Sequence, residues 1–464
     1  MAKLSGPLEP SLAQPSKGVI GTLISQDKYR LNPMVPSART SILDEALTGP
    51  IARAAGLFFL MVGGLSHFNG FSHPPSLATL LALVAVGLLL LVNQTHLRHF
   101  VVSVPGVMLL LWIALSISWS EDVERTTFLV RIEMPYLLGF MILGALASEQ
   151  FIARGLLWMV RLSVVISTLA TIAIPSTRGA VQSNGDALEG WHALFEHKNE
   201  FGPFLALSFG IVLVEDQRRI VRNITLLTIF GLTLGSQSVT ALTTILVIVA
   251  IHLWLRVNRG LDGPAAAAAV FGAAALAIGG ALGSRASLPL ILEATGKDPT
   301  FSGRTDIWSA VIQAIGDQPL LGYGRGGLFF PPANEQTASL WRDIGFQAPH
   351  AHNGVLDLWL QLGLVGVALY ALIFFSSFRV LFNSYRRGER FGPLGLLVMV
   401  SIGVASLSEP LYLGPYLSTL VLFNVVGLRL DRKARHQEIR ALTNESAPSN
   451  QVVAAASALD QGAP

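Results

Sequence analysis

The chain has 464 residues, of which 52% are hydrophobic and 13% charged, with a formal net charge of +3 and a mean hydropathy of +0.55. That much apolar surface cannot be hidden inside a soluble core, so lipid must solvate it. The basic residues lie in short clusters between apolar runs, which argues against a nucleic-acid patch, and the absence of cysteine excludes disulfides and a thiolate nucleophile.

Residues 1–50 are polar and rich in Pro and Ser without a charged-then-apolar leader pattern, and are expected to form a disordered cytoplasmic tail. A spanning helix needs about 20 mainly apolar residues. Such runs begin near Ile51, Leu77, Phe100, Phe128, Gly155, Phe201, Val221, Val239, Pro264, Gly354, Phe391 and Leu411. The expectation is an all-α polytopic membrane protein of about 12 transmembrane helices, about nine within 51–283 and about three within 354–428. Residues 429–464 form a second cytoplasmic tail.

Cytoplasmic loops collect Lys and Arg. The N-terminal tail, the connections around Arg98 and Arg154, and the groups Arg218 to Arg222, Arg256 to Arg259 and Arg379 to Arg390 are basic, as is the C-terminal tail. Every second connection is poor in Lys and Arg by comparison, and Ser408 to Pro415 carries only Glu409. This alternation places both termini in the cytoplasm. The outward connection 284–353 far exceeds the usual few residues. Within it, Arg304 to Gly316 reads as an amphipathic helix with Ile307, Trp308, Val311, Ile312 and Ile315 on one face and Pro319 soon after it. The loop is therefore expected to be a folded outer cap between helices 9 and 10, periplasmic on the family resemblance given below.

The stretch PHAHNGVLDLWLQLGLVG, Pro349 to Gly366, sets His350, His352 and Asn353 where this cap enters a span. A histidine there can titrate near neutral pH and take a proton from a hydroxyl; the same residues would serve as interfacial anchors, and Gly363 and Gly366 as helix-packing positions. Arg304 can bind phosphate oxygens in a fixed fork, or pair within the loop with Asp306, Asp298 or Glu293. Arg125, Arg131 and Lys198 are further cations on that side. His197, Lys198 and Asn199 open a helix, whose free amides favour anions, although Lys198 would equally snorkel. Arg131, Glu133, Arg161, His252 and Asp357 lie within apolar runs, so pairing or a wet cavity is expected around them. Asp357 is more than one helical turn past His352 and shares its face only approximately. No acidic pair suited to a metal-bound nucleotide sugar and no phosphate-binding glycine loop occurs in an outer loop, so neither metal nor cofactor is expected.

The run His352, Asn353, Gly363, Gly366 resembles the histidine signature of O-antigen ligases, which follows a long outer loop. The segment GRTDIWSAVIQAIGDQPLLGYGRGG, from Gly303 to Gly327, is similar to that family's loop, with Trp308 where leucine is typical. GWHALFEHKNEFG, Gly190 to Gly202, resembles a segment of ExoQ-type exopolysaccharide polymerases. The resemblance covers about Phe58 to Gly427 and identifies the chain with the O-antigen ligase and polysaccharide polymerase superfamily. It implies a GT-C-like inner-membrane glycosyltransferase acting on undecaprenyl-diphosphate-linked oligosaccharide, with membrane lipid, a chain-length regulator and export proteins as candidate partners and no nucleic acid. On that reading His352 and Arg304 are catalytic, and Arg125, His197, Lys198, Asn199, Tyr323, Arg325, His350 and Asn353 bind substrate. A ligase passing glycan to lipid A core, or a polysaccharide or lipid transporter, are the alternatives.

Overall fold

The computed structural model describes residues 53–58, 101–179, 190–258, 304–329 and 334–446, with short pieces at 84–91, 181–188 and 272. All of them belong to one unit, residues 46–464. In chain order its helices are α1 (Val104–Leu115), α2 (Val123–Leu146), α3 (Glu149–Ala173), α4 (Lys198–Glu215), α5 (Arg219–Ser236) and α6 (Val239–Val257). After these come α7 (Arg304–Asp317), α8 (Glu335–Ile344), α9 (Gly354–Arg386), α10 (Phe391–Ala405) and α11 (Pro415–Ser446). Apart from one antiparallel hairpin, Val181–Ser183 with Asp186–Leu188, and short 3-10 turns, the regular structure among the described residues is α-helical.

Four described helices, α2, α3, α6 and α9, are long and apolar enough to cross a membrane. The runs expected near Leu77 and Pro264 fall largely outside the described residues. Outward faces of the helices carry exposed apolar side chains such as Ile172, Leu227 and Leu246, as lipid contact requires. Inward, α10 packs on α4, α6 and α9, and α11 packs on α2 and α9. Aromatic pairs fill the gaps, Phe391 stacking on Phe423 at 4.9 Å and Phe195 resting 5.1 Å from Phe204.

Serine and asparagine start several helices in the expected way, Ser148 capping α3, Ser238 capping α6 and Asn353 capping α9. The last helix departs from expectation, since α11 continues through the predicted tail as far as Ser446. Asp431 explains part of this. It is buried among Arg379, Arg387 and Arg435, so the chain beyond the apolar run is tied to the end of α9.

The described part of the segment before α9 packs Ile307, Val311, Ile315, Tyr323, Leu328, Leu340 and Ile344 into one cluster with Leu360 of α9. The predicted amphipathic face holds except at Ile312, which is exposed; Ala310 takes its place inward. Gly363 serves neither simple packing nor a straight helix. Its φ of 66° breaks α9, and a Cβ there would lie 2.0 Å from the carbonyl oxygen of Leu320. The Pro-Leu-Leu-Gly-Tyr-Gly segment enters at that break: Leu364 donates to the Pro319 carbonyl at 2.9 Å, Tyr323 to Leu360 at 2.9 Å and Gly324 to Gln361 at 2.9 Å. Two motifs that are far apart in sequence thus form one joint, in which the loop satisfies backbone groups that the broken helix leaves open.

Candidate active site

Four stretches of sequence meet beside the start of α9. The segment joining α8 to α9 carries His350 and His352, and Arg304 opens α7. Glu409 lies in the turn between α10 and α11, and His197 caps α4. His352 has a φ of 47°, a left-handed conformation that costs a non-glycine residue on the order of 1 kcal/mol. The surroundings hold it there. Its N–H donates to Nδ1 of His350 at 3.2 Å, Asn353 Oδ1 accepts from Val355 and Leu356, and the Gly354 N–H reaches the Ser406 carbonyl at 2.7 Å. Trp308, the departure from the ligase-type leucine, donates from Nε1 to the Ala351 carbonyl at 3.0 Å.

Glu409 is the centre of the site. It is 3% exposed, and its two oxygens face different partners: Arg304 Nη2 donates to Oε1 at 3.1 Å, while Oε2 lies 3.4 Å from His352 Nδ1. That second approach is a close contact short of a hydrogen bond, for the buried Nδ1 has no hydrogen-bond partner among the described residues. The two imidazoles sit 4.0 Å apart between centroids. Burial drives both histidines down to about 3, His350 helped by His352, and His352 by Arg304 and His197. Burial lifts Glu409 to about 7, against the pull of His350 and Arg304. His197 is also lowered, by burial and by Lys198. Both histidines are therefore uncharged at neutral pH, beside a guanidinium and a Glu409 that titrates near neutrality.

The ligating atoms of His350, His352 and Glu409 lie within 4.8 Å of one another, a spacing that could hold a divalent cation. Arg304 already places positive charge on the same carboxylate and opposes a second cation there.

The remaining predicted residues are distributed more widely. His197 Nδ1 accepts from the Asn199 N–H at 3.0 Å, and Lys198 passes over Gly190. Arg125 packs over Phe128 at 5.4 Å. Asn353 uses its side-chain oxygen as a helix cap. Tyr323 is buried in the cap core with its hydroxyl donating to the Ala314 carbonyl at 2.9 Å, away from the histidines. Arg325 spends its guanidinium on Glu133, which accepts from Nε and Nη2, and on Gln361 Oε1. Glu409 and Gln361 were not singled out from the sequence. Glu409 had a visible signal, being the only charge in the short connection between two apolar runs, where an ionisable group is expensive unless it is used.

The fold is that of a multi-pass membrane protein, in which two histidines, a glutamate and an arginine cluster where these segments meet. Residues 224–371 match the O-antigen ligase family, a segment that contains Arg304, Arg325, His350 and His352 and stops short of Glu409. The exopolysaccharide production protein ExoQ of Rhizobium meliloti is 28% identical over 277 residues, covering 54% of this chain and 62% of that protein. The match therefore spans less than two thirds of that relative's length. Both comparisons bear out the resemblance to the O-antigen ligase and polysaccharide polymerase superfamily, ExoQ type included.

Proposed function

We propose that the protein is a glycosyltransferase that polymerises undecaprenyl-diphosphate-linked oligosaccharide units on the periplasmic face of the inner membrane. The observation that carries this reading is the convergence of His352, Glu409 and Arg304. In the proposed step the imidazole of His352 takes the proton of an acceptor sugar hydroxyl. The freed oxygen bonds to the anomeric carbon of the other chain, and the bond from that carbon to the diphosphate oxygen breaks. Undecaprenyl diphosphate leaves with the electron pair.

Glu409 suits the role of orienting His352 and stabilising the imidazolium as it forms. Among the described residues Arg304 makes a single side-chain hydrogen bond, which leaves guanidinium donors for the departing diphosphate. His197 and Lys198, at the start of α4, add anion-attracting groups near the same place. Transfer of glycan to lipid A core is the second reading, favoured by the family that residues 224–371 match; donor chemistry and site would be the same.

Lipid-linked glycans of a strain lacking the gene separate the two. Accumulation of single repeat units supports polymerisation, and long undelivered polymer supports ligation. Orientation is tested by reporter fusions: one after Lys297 should be active only as an exported reporter, and one after Arg387 only as a cytoplasmic one.

A further inference from the structure

Behind the histidine segment runs a chain of buried polar groups whose hydrogen-bond direction is fixed from one end. Arg325 can only donate. Its Nη1 and the Gly326 N–H both point at Oε1 of Gln361, at 2.5 and 2.9 Å, so the amide nitrogen of Gln361 must face the other way. There it donates to Oδ2 of Asp357 at 2.5 Å. The second oxygen of Asp357 accepts the Ala351 N–H at 3.2 Å. Residue 357 thus receives two donors from two directions, which a carboxylate can do and a carboxamide cannot, having one oxygen and one nitrogen donor. Asp357 and Gln361 are both buried and Ala351 is wholly so, so a lost contact is not replaced by water.

Ala351 is the residue before His352. Its peptide is gripped on both sides, by Asp357 at the nitrogen and by Trp308 at the carbonyl, and the next residue adopts the left-handed conformation that turns its Nδ1 toward Glu409. We infer that Asp357 is a positioning residue for His352, holding the backbone that aims the imidazole, with Gln361 and Arg325 setting the direction of the chain that ends on it. This rests on the reading of His352 as the base.

A polarity swap tests it in the full-length chain. Asp357→Asn turns an amide donor toward either Gln361 or Ala351, and Gln361→Glu turns a carboxylate toward Asp357. The double variant restores every contact with unchanged net charge. The introduced carboxylate accepts from Arg325, from Gly326 and from the introduced amide, whose oxygen accepts from Ala351. Each single variant should speed deuterium exchange at the Ala351 amide by about tenfold and lower polymer made per molecule of membrane-inserted protein by about tenfold, as loss of one buried hydrogen bond implies. The double variant should recover both, a coupling that independent sites do not show.

Unchanged exchange in Asp357→Asn overturns the inference, and so does faster exchange with undiminished polymer per molecule. If Asp357→Asn fails to accumulate in the membrane, the double variant decides: recovered insertion and polymer support the network, and failure to recover overturns it. His352→Ala in the same strain separates the two claims. If it makes no polymer while Asp357→Asn is normal, the positioning role alone falls; if it makes polymer normally, the base assignment falls first.

Discussion

Two arginines, Arg325 and Arg304, each meet a glutamate, Glu133 in α2 and Glu409 in the turn between α10 and α11, and they are committed to very different degrees. Arg325 engages all three of its nitrogens: Glu133 takes two and Gln361 the third, so the pair fastens the Gly322 to Gly327 turn to α2 and α9. Among the described residues Arg304 makes one side-chain hydrogen bond, to Glu409, and the other oxygen of that glutamate faces an imidazole nitrogen that has no hydrogen-bond partner there. A fully paired buried ion pair can do little except hold. A partly paired one, beside a neutral histidine in a strained backbone, has capacity left for a substrate. The family resemblance gives Arg304 a catalytic and Arg325 a substrate-binding role, and their partners set them further apart.

The comparison can be broken at either pair. The largest expected effect is at His352, where replacement by Ala should cut turnover by about a hundred- to ten-thousandfold, the usual contribution of a placed general base. The protein should still insert, and raising the pH should restore little activity. His350→Ala should lose less; if the His350 variant is dead and the His352 variant active, the base has been assigned to the wrong ring.

Next in size is Arg325→Ala, which removes the hydrogen-bonded partner of the partly buried Glu133 and should cost about 1–3 kcal/mol of stability. The measurement is folded protein in the membrane and its thermal midpoint; normal levels with lost turnover would place Arg325 among the substrate-binding groups instead. Arg304→Lys keeps the charge and removes the fork, so turnover should fall roughly a hundredfold at normal expression. Near-normal turnover would reduce Arg304 to a partner for Glu409.

The smallest effect is on pH. Because burial raises Glu409 to about 7 and lowers both histidines to about 3, the group of this cluster that changes charge near neutrality is the glutamate; Glu200, which burial also lifts to about 7, titrates alongside it. Glu409 takes up a proton as pH falls through about 7 and loses its hold on Arg304 and on an imidazolium. Activity should then drop about tenfold per pH unit on the acid side, as one essential ionisation dictates, and the histidines contribute no acid limb in that range.

Much of this architecture was readable from apolar runs and helix caps, because lipid imposes a long, simple pattern on every span. The amphipathic helix from Arg304 and the helix start at Asn353 were also legible, from apolar spacing and a capping residue. What could not be read was pairing over long sequence separation. Glu409 is a single charge in a short turn, Gln361 is one polar residue in an apolar helix, and Gly363 reads as a packing glycine until Leu320 is seen to occupy its missing side chain. The exposed Ile312 and the helical tail beyond residue 428 have the same origin, since what α7 and α11 touch decides them.

The most direct test compares Glu409→Gln with Glu133→Gln in one preparation, measuring folded protein and turnover per folded molecule for each. For Glu409→Gln we expect normal folding, turnover down by about a hundredfold, as for removal of one charge-stabilising group, and no acid limb near pH 7. For Glu133→Gln we expect reduced folded protein with turnover per folded molecule preserved. The reverse pattern, with activity per molecule lost at Glu133 and kept at Glu409, would contradict the assignment of the chemistry to the His352–Glu409–Arg304 cluster.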